Sequence, residues 1–166
     1  MSITIRKMRL ADVAAVYAIQ AEAYVAAMIE APSLIRDRWL SAPDTAWVAA
    51  DAQGVCAYLV AYPSLRGSIT RLGDTFALAQ NSTCLYLHDL AIAQRASGQQ
   101  LGTSLVTQAL KYASDQQYLY SALVSVQDSH GFWQKLGYLE QHALSQDQLS
   151  CLHTYVGNAT YFVKTL

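Results

Sequence analysis

Charge is scarce in this sequence. Lysine, arginine, aspartate and glutamate make up 14% of its 166 residues, and the formal net charge is -1. No basic run occurs, so a nucleic-acid partner has no electrostatic footprint to bind. Long apolar runs are missing as well. None reaches the roughly 18 residues that suggest a membrane span. The opening "MSITIRKMRL" lacks the apolar core and small-residue cleavage site of a signal peptide. No nucleic-acid or membrane partner is therefore expected, and the expected location is cytoplasmic. Cysteine is limited to Cys56, Cys84 and Cys151, scattered and odd in number, which excludes a disulfide framework and any metal-ligand spacing. They read as small buried hydrophobes in a reducing compartment, and no metal is expected. Repeats, low-complexity segments and linkers are absent. One domain over residues 1–166 is the expectation.

What the sequence has in quantity is apolar surface. Hydrophobic residues make up 53%, which predicts a compact globule. A chain of this length buries about two thirds of its unfolded surface. "ITIRKM" alternates as a strand does, and "LADVAAVYAIQAEAYVAAM" carries apolar residues at helical spacing. Pro32 interrupts that helix, and "SLIRDRWL" after it reads as a second one. "TAWVAA" and "VCAYLVAYP" are strands joined by the turn "DAQG". Residues 63–82 are irregular, and a long connection of this kind is functional or mobile more often than core. A strand, the helix "TSLVTQALKYA", the strand "YLYSALVSV", a short helix in "GFWQKLGY" and a terminal strand in "CLHTYVGNATYFVKTL" complete the chain. In the central helix Leu105, Ala109, Tyr112 and Ala113 share one face. This order implies a mixed sheet covered by helices, α/β or α+β.

The stretch "LYLHDLAIAQRASGQQLGTSLV" carries the functional signal. Its turn, with Gly98 and Gly102, joins a strand to a helix. Unpaired N–H groups at a helix start, on the positive end of the helix dipole, can hold phosphate. Two glycines in a turn can equally be structural. The turn is neither a Walker loop nor a dinucleotide G-x-G-x-x-G.

This stretch resembles the acetyl-CoA site of the GNAT family of N-acetyltransferases, in which a strand-turn-helix carries Gln/Arg-x-x-Gly-x-Gly/Ala. Gly102 aligns with the last position, Ser97 with the Gln/Arg, and Gln100 with the middle glycine, so the motif departs at two positions. "YLHDLAI" is similar to the central strand of the family, "SVQDSHGFWQKLGY" to its later strand and "FYekxGF" helix, and "YVGNATYFVKTL" to the ending of some bacterial members. The resemblance runs through nearly the whole chain. It implies a mostly antiparallel sheet of about seven strands flanked by about four helices. It also implies acetyl-CoA as cosubstrate, without a metal, and acetyl transfer to a primary amine of a small molecule or peptide by direct attack in a ternary complex. A homodimer is compatible with it. Pantetheine should pair with the backbone of Leu90, Ala91 and Ile92, whose N–H groups polarise the thioester oxygen. Pyrophosphate should sit on Ser97, Gly98, Gln99, Gln100, Leu101, Gly102 and Thr103. The alternative is a non-catalytic acyl-CoA-binding or sensor protein.

Strict alternation puts Tyr86, His88, Leu90 and Ile92 on one face of the strand, Leu87 and Asp89 on the other. His88 falls where related enzymes carry a catalytic base. An amine with a pKa near 10.4 is only about 0.04% neutral at pH 7, a deficit of roughly 4.6 kcal/mol, and a general base contributes about 10²–10⁴-fold. His88 is the candidate base, against the alternative of a hydrogen-bonded core histidine. Asp89, expected to face away, reads as structural. Trp133 replaces the family's acidic tyrosine and is expected as a wall beside the cofactor thiol. Trp cannot protonate the thiolate, and Tyr138 and Tyr155 are substitutes. Ser129, His130 and Asp128 do not make a nucleophilic triad, and Asp128 or Ser129 reads as a helix N-cap. Glu22, Glu30 and Asp37 either attract a cationic acceptor or form a solvated face.

Overall fold

The computed structural model describes residues 2–166. The strands are β1 (Thr4–Lys7), β2 (Ala46–Asp51), β3 (Gly54–Ser64), β4 (Cys84–Ile92), β5 (Tyr120–Ser125), β6 (Leu139–Glu140) and β7 (Thr160–Thr165). The helices are α1 (Val13–Ala23), α2 (Pro32–Ser41), α3 (Leu101–Asp115), α4 (His130–Lys135) and α5 (Gln146–Leu152). The seven strands form a sheet in the order β1-β2-β3-β4-β5-β7-β6. Every pairing is antiparallel except β4 with β5. This is the expected mixed sheet, with five helices instead of about four.

Each face of the sheet buries its own core. Tyr58, Tyr62 and Tyr86 meet Val16 and Ile19 of α1 and Ile35 of α2. On the other face Leu59, Leu85 and Leu87 meet Leu105, Ala109 and Ala113 of α3, as the helical spacing predicts.

Local chemistry accounts for the departures. α1 stops at Ala23 because Tyr24 turns extended (φ -109°, ψ 152°). Pro32 does not interrupt a helix but starts α2, where its missing N–H costs nothing. α5 stands where the sequence reading began a strand, and its signal was present. Ser145 accepts the Gln148 N–H at 3.3 Å, and Ser-x-x-Gln is a helix-start pattern.

β4 departs from strict alternation. Its register against β3 shifts between Val60, opposite Asp89, and Ala61, opposite Leu87, which leaves His88 as the extra residue of a β-bulge. His88 and Asp89 consequently reach the same face, toward α1 and α2. Ala91 packs there too, while Leu90 and Ile92 pack on the α3 side. His88 shares the face of Tyr86 as expected, and the expected partition of side chains fails from Asp89 onward for this reason.

The irregular segment between β3 and β4 is pinned, not loose. Its backbone N–H groups at Gly67, Ile69 and Leu72 donate to Tyr161 Oη, Gln148 Oε1 and Thr154 Oγ1 at 2.7–2.9 Å. A buried ion cluster holds its other end. Glu30 Oε1 accepts from Arg38 Nη1 at 2.5 Å, Glu30 Oε2 accepts the Gly73 N–H at 3.1 Å, and Arg38 Nε donates to the Asp74 carbonyl at 2.8 Å. Burial opposes the Glu30 charge, but His88 and Arg38 outweigh it and hold the carboxyl at about 2, below its ordinary 4.5.

That shift has a definite sign. A carboxyl depressed on folding stabilises the fold above its unfolded value, so Glu30 contributes about 3 kcal/mol at neutral pH. The contribution fades as pH falls from about 4.5 toward 2. Glu30→Gln leaves Arg38 buried without its counter-charge, and denaturant titration at pH 7 should show a loss of about 3–5 kcal/mol. Below pH 3 the gap between variant and wild type should shrink.

Candidate active site

β4 and β5 pair only where Cys84–Leu87 lie beside Tyr120–Leu123. Beyond Leu87 they part, and a cleft of about 300 Å³ opens between them. Residues 88–92 thus have no strand partner on that edge. One end of the cleft is walled by Ile92, Gly102, Phe132 and Trp133, the other by Met28, Glu30, Leu72, His88 and Tyr155.

The glycine turn borders the first end. Gly98 has φ 80°, and Gln100 sits left-handed at φ 58° as the residue before α3, with no side-chain cap. Gln100 therefore adopts, at a cost, a backbone that glycine adopts freely. Ser97, Gly98, Gln99, Gln100 and Thr103 are exposed, while Leu101 and Gly102 are buried. Gly102 is needed for packing: a Cβ there would lie 3.2 Å from Phe132 Cζ and 3.4 Å from Ile92 Cδ1. The first-turn amides of α3 point out beside this end of the cleft, the arrangement that receives an anion.

Trp133 both borders the cleft and belongs to the core. It is 7% exposed and meets Phe132 and Tyr138 edge-on at 4.9 and 5.4 Å. Tyr138 is fully buried outside the cleft, its hydroxyl 2.7 Å from Ser121 Oγ. Tyr155 borders the cleft but donates to the Thr70 carbonyl at 2.7 Å. Burial pushes its phenol, like that of Tyr138, well up from its ordinary range.

His88 is already engaged. Its Nε2 lies 2.8 Å from Arg38 Nη1 and 3.3 Å from Glu30 Oε1, its ring stands edge-on to Phe76 at 5.2 Å, and its Nδ1 is buried without a partner.

Asp89 is held differently. Oδ1 accepts from Tyr24 Oη at 2.7 Å, and Oδ2 accepts from Tyr58 Oη at 2.6 Å and Gln20 Nε2 at 2.9 Å. Gln20 Oε1 in turn accepts the Glu30 N–H at 2.7 Å. Tyr24 Oη is also 3.0 Å from the Leu90 carbonyl, on the open edge of β4. Both Asp89 and Tyr24 border the cleft. The sequence reading put Asp89 on the opposite face and passed over Tyr24. The bulge brings them together, and neither residue carries a sequence signal for it.

The remaining candidates separate. Glu30 is buried in its ion cluster, Asp37 pairs with exposed Arg36, and Glu22 accepts the Gln94 N–H at 2.9 Å. Ser129 precedes α4 in the N-cap position, yet its hydroxyl donates back to the Val126 carbonyl at 2.7 Å and caps nothing. His130 is spent on Ser125 Oγ and Thr160 Oγ1. Gln127, unforeseen, bridges the cleft's rim through the Ala23 carbonyl and the Val25 N–H.

With this geometry in place, comparisons with known proteins converge. No curated protein sequence matches the chain significantly. Among solved structures, Ard1 from Thermoplasma volcanium has a TM-score of 0.73 at 19% identity, with 100% of this chain and 99% of that one covered. PaiA N-acetyltransferase from Thermoplasma acidophilum in complex with coenzyme A has a TM-score of 0.66 at 16% identity, with 100% of both chains covered. The GNAT-like decarboxylase GphF in complex with isobutyryl-CoA has a TM-score of 0.75 at 14% identity, with 98% of both chains covered. At these identities the likeness is one of fold. The sequence itself matches the model of the Acetyltransferase (GNAT) family over residues 13–138, from the start of α1 to the residue before β6. The chain belongs to the Acetyltransferase (GNAT) family.

Proposed function

We propose that the protein transfers an acetyl group from acetyl-CoA to a primary amine of a small molecule or peptide, by direct attack in a ternary complex. The observation that carries this reading is the parting of β4 from β5 directly beside the exposed first turn of α3. The turn offers amides to a pyrophosphate, and the open edge of β4 offers backbone groups to an extended amide chain. In this reading residues 97–103 take the pyrophosphate and Leu90, Ala91 and Ile92 the pantetheine. Backbone N–H groups of that stretch polarise the thioester oxygen as charge develops on it. Trp133 and Phe132 wall the thiol end. The acceptor approaches from the Met28, Leu72 and Tyr155 end. His88 enters as a wall of that end, since its Nε2 is committed to Arg38 and Glu30 and its Nδ1 is buried.

Binding is testable apart from turnover. Acetyl-CoA at 100 times its dissociation constant should stabilise the fold by about 2.7 kcal/mol, read as a rise in Tm. A Tm unmoved by millimolar acetyl-CoA overturns the reading. Thr103→Glu puts a carboxylate in the first turn of α3, where it suits the helix dipole but repels pyrophosphate. Its own Tm should hold, while CoA affinity falls by about tenfold, roughly 1.4 kcal/mol. Turnover against an amine panel then separates an enzyme from a binding protein.

Trp133→Tyr restores the family's residue. The loss of indole packing should lower stability by about 1–3 kcal/mol while CoA affinity stays within a few fold. Outright unfolding, seen by circular dichroism, would place Trp133 in the core alone.

A further inference from the structure

An amine acceptor arrives as an ammonium ion and must lose a proton before it attacks, and the structure offers a route other than His88. We infer that Tyr24 and Asp89 form a proton relay: the phenol oxygen of Tyr24 faces the amine in the cleft and passes its own proton to Asp89. This rests on the acetyl-transfer reading and names the groups that prepare the nucleophile.

Four observations carry it. Both residues border the cleft, and Tyr24 Oη lies 2.7 Å from Asp89 Oδ1 and 3.0 Å from the Leu90 carbonyl, at the open edge of β4. Among the described residues Asp89 is held by three neutral donors, Gln20, Tyr24 and Tyr58, and by no cation. The other carboxylate at the cleft, Glu30, is neutralised by Arg38. His88 Nε2 is committed to that pair and its Nδ1 is shut from solvent. Asp89 is thus the negative charge in the cleft still lacking a positive partner, and an ammonium supplies one.

The proton balance closes. An ammonium N–H bond breaks as its proton moves to the Tyr24 oxygen, while the Tyr24 proton moves to Asp89 Oδ1. Tyr24 ends as a phenol, now accepting a hydrogen bond from the Asp89 acid, and the amine is left with its lone pair. Attack then forms the N–C bond and breaks the C–S bond. The nitrogen's second proton goes to the departing thiolate, and Asp89 returns its proton to solvent after the products leave. Burial, then the nearby Asp89 charge, push the Tyr24 phenol well above its ordinary range, so Tyr24 works as a neutral conduit and never as a phenolate.

The test uses amines of graded basicity. For the full-length chain, kcat/KM is measured at pH 7 for alkylamines and for weakly basic amines, such as anilines, that are already neutral. Tyr24→Phe should lower the alkylamine rate by about 10²–10⁴-fold, the aniline rate by less than tenfold, and leave the acetyl-CoA Tm shift intact. A role in packing alone would lower both rates alike. Asp89→Asn should show the same split and carries the test if Tyr24→Phe does not fold. Equal loss across the panel, no loss, or the split appearing in His88→Gln instead, overturns the relay alone. A wild type that binds acetyl-CoA yet acetylates no amine overturns the acetyl-transfer reading and the relay with it.

Discussion

The site depends on one irregularity of backbone hydrogen bonding: β4 holds β3 along its whole length but holds β5 for only four residues. A parallel pair that stayed together would bury every amide of β4 in the ladder. By parting after Leu87, the strands leave the edge of residues 88–92 open inside an apolar cleft. The bulge at His88 lies at the same place and adds to the local twist of the strand. It also sends two consecutive polar side chains to one face. Without it Asp89 would enter the aliphatic layer under α3, among Leu59, Leu87 and Leu105, as a buried charge with no donors.

Two polar networks fill the space the bulge creates, and Gln20 connects them. Its amide nitrogen serves Asp89 and its amide oxygen the Glu30 N–H, so every group of a fully buried side chain is used. One network is ionic and ties the 73–74 backbone to α2. The other is made of neutral donors around one carboxylate. The division separates a carboxylate paired with a guanidinium from one held by neutral donors alone. A carboxylate balanced by a guanidinium is committed to that partner. One balanced by phenols is not.

Much of this was legible in the residues. The element order, the β2–β3 turn at Asp51–Gly54 and the buried face of α3 follow from periodicity and turn chemistry, which are local. The strand-to-helix turn was legible too, because Gly98 and the change of periodicity lie within a few residues. What was not legible is what depends on register. The reading of β4 assumed alternation through His88, and a bulge in a run of leucine, tyrosine and histidine leaves no compositional mark. Arg38 and Tyr24 were invisible for a related reason. Each looks like an ordinary helix or helix-end residue, and becomes part of the site only through partners 50 to 66 positions away. The α5 helix was missed although its cap was in view.

The pinned segment between β3 and β4 has a broader consequence. Side chains of other elements reach its backbone, from Gln148, Thr154, Tyr161, Glu30 and Arg38. Its own Ile69, Thr70 and Phe76 are buried in the core, whereas Leu72, which borders the cleft, is held through its backbone N–H. Under the proposed acetyl-transfer reading, the lining at Leu72 can change while the backbone that presents it stays fixed, and the cofactor half on α3 need not change with it. In that reading acceptor preference and cofactor binding are separately adjustable.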